Sequence, residues 1–200
     1  MKILLTVGIL LLASPMIANS AEQSATQLVE RTADKMLTTL ESRRAEVERK
    51  PQLINDLVDS ILAPHFDFTQ MTRLAVGRDW QKATPAQQQA LTDSFRSLLV
   101  RTYAKSIMKY SGQDIVYEAA RPGTRSGTVV VPTEVRAPGS APIPIDYSML
   151  ERGNSWKVYD VVIDGVSMIS NYRSQFRTTI ATSGIDGLIE QLRAKTARGA

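Results

Sequence analysis

The residues with chemical potential in this chain are few and scattered. It has one histidine, His65, and no cysteine. A bound metal wants clustered His, Cys or carboxylate ligands. The nearest approach is Asp56 and Asp59, three apart on a helical stretch, where solvation accounts for them. A serine nucleophile needs a base, and no serine motif is placed for His65 to serve. Gly165-Val166-Ser167 lacks the flanking glycine pattern of a nucleophile elbow, and His65, before an aromatic at a helix junction, reads as structural. No glycine-rich phosphate loop is present, and the aromatics are not interleaved with a basic run as nucleic-acid binding requires. One catalytic arrangement survives: an aspartate buried as general base beside a tyrosine donor, as in cone-shaped isomerase and epoxide-hydrolase folds. Asp146, Asp160 or Asp164, with Tyr103 or Tyr147, would supply that pair. Alternation counts against Asp146, because it falls opposite the apolar face of its own strand.

The elements that must position these groups follow from periodicity. From Ile143 the residues Ile145, Tyr147 and Met149 alternate on one face of an extended chain. Gly153-Asn154 then offers the two small residues of a tight hairpin. The return strand, Trp156 to Asp164, ends as Val161-Val162-Ile163, apolar on both faces. After Asp164-Gly165, Met168, Tyr172, Phe176 and Ile180 recur at i, i+4, one apolar stripe of a helix. Upstream, Ile115 to Tyr117 and Thr128 to Ala137 give two more strands, so the spacing predicts a four-stranded antiparallel meander. Helices are expected over Ala25–Val47, Leu53–Leu62 and a short stretch from Phe68 capped by Gly77. The longest begins at Thr84-Pro85-Ala86-Gln87, a capping-box sequence with proline at the first helical position. Ser183 caps a last helix carrying Ile185, Leu188, Ile189 and Leu192. The class is α+β, with N-terminal helices and a C-terminal helical segment around one curved sheet.

With 200 residues and no repeat or low-complexity linker, the chain suits a single domain, residues 21–200. Residues 1–20 read as a cleaved signal peptide: Lys2, an apolar run from Ile3, then small residues through Ala21. That run is shorter than the roughly 20 apolar residues a membrane span needs. Loss of Lys2 takes the net charge from +4 to +3, weak evidence for any charged partner. No cofactor is expected.

Several segments resemble the MlaC-type, toluene-tolerance family of periplasmic phospholipid carriers. They are His65–Thr72 with Gly77–Trp80, Ala83–Gln87 with Phe95 and Thr102–Ala104, and Tyr110–Gly112. The longest runs from Tyr159 to Ile169, with Asn171–Arg173, Gln175-Phe176 and Gly184–Leu188. The order and spacing hold from about Ala25 to Ala194. The resemblance implies a monomeric shuttle, exported to the periplasm by its signal peptide. It would carry phospholipid between an outer-membrane lipoprotein complex and the inner-membrane ABC transporter complex of a system that maintains outer-membrane lipid asymmetry. The fold implied is a bent sheet wrapped by helices, with acyl chains in an apolar cavity and the headgroup at its mouth.

For such a cavity the inward faces supply Val131, Ile145, Tyr147, Met149, Val162, Val166, Met168 and Tyr172 from the sheet and following helix. Leu74, Leu99, Tyr103 and Ile107 face them from other helices. The same pattern also suits a solid core, so two other readings stand beside the carrier. One is the isomerase- or hydrolase-like enzyme with a buried Asp; the other is a non-catalytic adaptor that works by docking.

Overall fold

The structure, a computed structural model, describes residues 16–197, with side chains from residue 24. Of the leader expected over residues 1–20, residues 1–15 lie outside those described. Helix α1 (Met16–Ser42) is followed by α2 (Arg44–Arg49) and α3 (Leu53–Leu57), then α4 (Phe68–Val76) and α5 (Pro85–Met108). The strands are β1 (Asp114–Tyr117), β2 (Arg121–Pro122), β3 (Thr128–Arg136), β4 (Ile143–Arg152), β5 (Ser155–Ile163) and β6 (Val166–Ser167), and α6 (Met168–Ala197) closes the chain.

All the strand pairs are antiparallel, in the order β1-β3-β4-β5-β6. β1 pairs with the far half of β3 and β2 with its near half, so together they form one interrupted edge. The expected four-stranded meander is therefore present, with its first strand broken and a two-residue strand added at the other edge. The β4–β5 hairpin turns on Gly153, whose φ of 59° is the only positive one at that turn, so Asn154 does not need the left-handed region.

The helices depart from expectation in instructive places. The helix expected over Ala25–Val47 breaks at Arg43 (φ −111°, ψ 13°), and α2 then turns Val47 into a buried site. The helix expected over Leu53–Leu62 is α-helical only to Leu57 and continues as a π-turn over Val58–Leu62. The wider turn keeps Ile54, Leu57, Val58 and Ile61 all buried. Asp67 caps α4, accepting a bond from the Gln70 amide at 2.8 Å. Thr84 and Gln87 form the expected capping box on α5.

The last helix, expected to begin at a Ser183 cap, is set off from the preceding one at the next residue. Gly184 (φ 68°, ψ −172°) splits α6, and the chain reverses there. Thr179 Oγ1 donates to Gln191 Oε1 at 2.7 Å, a contact between residues that one straight helix would hold about 18 Å apart. The second half runs alongside α5, with Gln87 bonded to Asp186 and Arg101 to the carbonyl of Thr196.

Two apolar clusters result. The larger joins the inner face of the sheet to α1, α4, α5 and α6 around Phe95, Met71, Leu91, Met149, Leu188 and Leu192. The smaller lies among α1–α3, the π-turn and the end of α5. Ties at the sheet fix α1: the Trp156 indole donates to Ser24 Oγ at 3.0 Å, and the Ala120 amide to Thr26 Oγ1 at 3.2 Å.

His65 ends the short 3-10 turn (Ala63–His65) that joins the π-turn to α4 and lies against β5. Its pKa is held below the ordinary 6.5, chiefly by burial, with Lys157, Lys35 and Arg31 adding positive charge. As pH falls through about 6.5 the unfolded chain takes the proton first, so stability falls with it; above that value the residue contributes nothing. Urea midpoints measured from about pH 7 down to about pH 5 are expected to show a shallower decline in a His65→Gln variant than in the parent. An unchanged slope would refute this account of His65.

Candidate functional site

The ladder register defines the inner face of the sheet row by row. At one end Val129, Met149 and Val158 are buried. The next row is Val131, Tyr147 and Val161, in which Tyr147 is partly exposed. Beyond it lie Tyr117, Thr133, Ile145, Ile163 and Val166, in register across the full width of the sheet. Thr133 is buried there, Tyr117, Ile145 and Ile163 are partly exposed, and Val166 is 60% exposed. The last row ends with Ile143 at 47%. Exposure thus begins at Tyr147 and grows toward Val166 and Ile143, so the surface is covered at one end and open at the other.

Helices cover the sealed end. Phe95 of α5 makes edge-to-face contacts with Tyr172 and Phe176 of α6, with ring centroids 5.0 Å apart in each pair. Asp160 fastens the start of α6 to β5, accepting from the Ser167 hydroxyl at 2.6 Å and the Ile169 amide at 3.1 Å. Such a cap also suits the positive end of the helix dipole.

Of the expected lining residues, Leu99, Val131, Met149, Met168 and Tyr172 are buried in the larger cluster. Leu74, Tyr103, Ile145 and Tyr147 pack against it while keeping some exposure. Ile107 packs instead against the smaller cluster, because the end of α5 runs past the sheet. Val162 does not share the inner face. Tyr159 is an extra residue on β5, where the register passes from Ser148–Asp160 to Met149–Val158. That bulge moves the inward set from Trp156 and Val158 to Val161 and Ile163, and Val162 pairs with Asp146 on the opposite side. Val166 has the expected face but lies at the open rim rather than inside.

Tyr117 and Ile163 were not among the expected lining residues. Tyr117 was legible, since it follows Ile115 in strand alternation. Its hydroxyl is buried and finds no partner among the described residues. Burial, then the charges of Asp34, Tyr147 and Glu30, push its pKa well above the ordinary 10.0. Burial alone raises that of Tyr147. Tyr147 itself keeps some accessible surface.

None of the three candidate aspartates lies on this surface. Asp146 lies on the outer face, paired with Arg121 at 3.0 Å. Asp160 is committed to capping α6, and Asp164 is exposed in a turn at φ 49°. Among the described residues no group of three or more His, Cys, Asp or Glu could hold a metal. Two clefts elsewhere, of about 580 and 360 Å³, flank the Gly184 reversal and the end of α6, and neither is lined by any of the twelve residues. None of the described helices is long and apolar enough to cross a membrane.

Fold and site together define a class: a helix-wrapped antiparallel sheet whose inner face is an apolar surface open at one end. The family model described as MlaC protein matches residues 30–194, and the chain belongs to the MlaC family. It is 26% identical over 181 residues to toluene tolerance protein ttg2D of Pseudomonas putida, covering 89% of this chain and 82% of that one. It is also 26% identical over 176 residues to the intermembrane phospholipid transport system binding protein MlaC of Haemophilus influenzae, covering 86% and 82%. Among solved structures, a phospholipid-binding protein from Ralstonia solanacearum in complex with a phospholipid superposes with TM-score 0.80 at 34% identity. That match covers 88% of this chain and 98% of the other.

Proposed function

We propose that the protein is a periplasmic phospholipid carrier, exported by a cleaved leader over residues 1–20. It acts as a monomer and shuttles lipid between an outer-membrane lipoprotein complex and an inner-membrane ABC transporter complex, in a system that maintains outer-membrane lipid asymmetry. The observation that carries this reading is the graded inner face. Apolar surface at Ile145, Tyr147 and Ile163 stays accessible inside the sheet and opens at Ile143 and Val166. The relatives' names and the bound phospholipid in the Ralstonia structure support it.

The physics of the task matches such a surface. Each methylene exposed to water costs about 0.8 kcal/mol, so a diacyl lipid does not cross an aqueous gap unaided at a useful rate. An interior as apolar as a bilayer lowers that barrier without holding the lipid irreversibly, and no catalysis is involved. Acyl chains would lie along Val131, Ile145, Tyr147 and Met149 beneath Leu99, Tyr103, Met168 and Tyr172, with the headgroup at the Ile143–Val166 end. Protein purified from cells is expected to carry phospholipid in native mass spectrometry. Empty protein that also takes up no lipid from vesicles would overturn the proposal.

A further inference from the structure

Among the described residues, the Tyr117 hydroxyl is a buried side-chain group with no hydrogen-bond partner, and it lies one row inside the open rim of the sheet. We propose that the Tyr117 hydroxyl is a hydrogen-bond donor to a carbonyl oxygen of the ligand, the ester linkage joining glycerol to an acyl chain. The inference rests on the carrier reading above and specifies the chemistry of that site.

Position is the first argument. Tyr117 lies in the row that ends at exposed Val166, one row inside Ile143. A lipid seated tails-inward places its ester groups between the buried rows and the open rim. Chemistry is the second. A buried hydroxyl without a partner is destabilising relative to a satisfied one, and Tyr117 Oη has none among the described residues. Its row neighbour Thr133 is different: its hydroxyl donates to the Ile145 carbonyl at 2.9 Å. Saturated acyl tails present no acceptor, whereas an ester carbonyl presents two lone pairs. Phenylalanine would cover the same apolar area, so the hydroxyl itself is what needs explaining.

The test compares diester and diether phosphatidylcholine of equal chain length as competitors for a fluorescent phospholipid bound to the full mature protein. Wild type is expected to bind the diester about tenfold more tightly, the factor that one hydrogen bond and a relieved burial penalty supply. Tyr117→Phe is expected to bind the two lipids equally, with the diether bound at least as well as by wild type. Lipid-free Tyr117→Phe is also expected to melt at or above the wild-type temperature, because an unsatisfied group has been removed. Equal binding of both lipids by wild type, as an internal water on the hydroxyl would give, overturns the proposal. So does a preference that survives in Tyr117→Phe, or a lower melting temperature, which marks a structural hydroxyl. If wild type binds neither lipid nor the probe, the carrier reading itself fails.

Discussion

An Ile145→Trp protein is expected to fold but to lose its phospholipid. Ile145 is partly exposed on the inner face, in the row between the sealed and open ends. If the surface borders a recess, an indole there occupies space that an acyl chain would otherwise fill. Displacing about four methylenes removes roughly 3 kcal/mol of burial at ~0.8 kcal/mol each, which weakens binding about a hundredfold. The same change distinguishes the solid-core adaptor. In a filled interior the larger ring strains its neighbours and costs about 1–3 kcal/mol of stability, and there is no lipid to lose. Native mass spectrometry for lipid and differential scanning calorimetry for stability, run on one preparation, separate the outcomes. Retention of lipid at wild-type occupancy would place the ligand elsewhere.

Phe95→Ala is expected to be the most damaging single truncation among the described residues. The ring is fully buried and meets two aromatic partners, Tyr172 and Phe176, both from the first half of α6. Truncating a buried Phe costs about 3–5 kcal/mol through lost burial and the cavity left behind. For a domain of this size that lowers the melting temperature by roughly 10 °C. Thermal melting by circular dichroism reads it directly. A fall of less than about 3 °C would mean that α5 and α6 do not share one core there.

How much of this was legible in the sequence depends on whether a local rule governed each residue. The Thr84 capping box and the Gly77 stop rest on short-range backbone chemistry, and each appears where the residues place it. The inner face of β4 was legible for the same reason, since alternation fixes Ile145, Tyr147 and Met149 together. β5 was not, because one additional residue at Tyr159 reverses the alternation, and neither residue type nor spacing marks it. Val162 was assigned to the wrong side on that account. The break at Arg43 was also hidden, because it has no helix-breaking residue and exists to bring Val47 inward. Whether an apolar stripe fills a core or borders a recess is a property of opposing surfaces, which no pattern along one strand encodes. The membership of the family was legible, because it rests on the order of many short segments.

The reversal at Gly184 has a consequence for how the molecule comes apart. Leu188 and Leu192, at 0% and 1% exposure, belong to the same cluster as Phe95 and Met149, though they come from the final helical stretch. The C-terminal stretch is therefore no appendage that can fray by itself. Losing it uncovers one flank of the central helix, so tail, pillar and sheet are bound into a single cooperative transition.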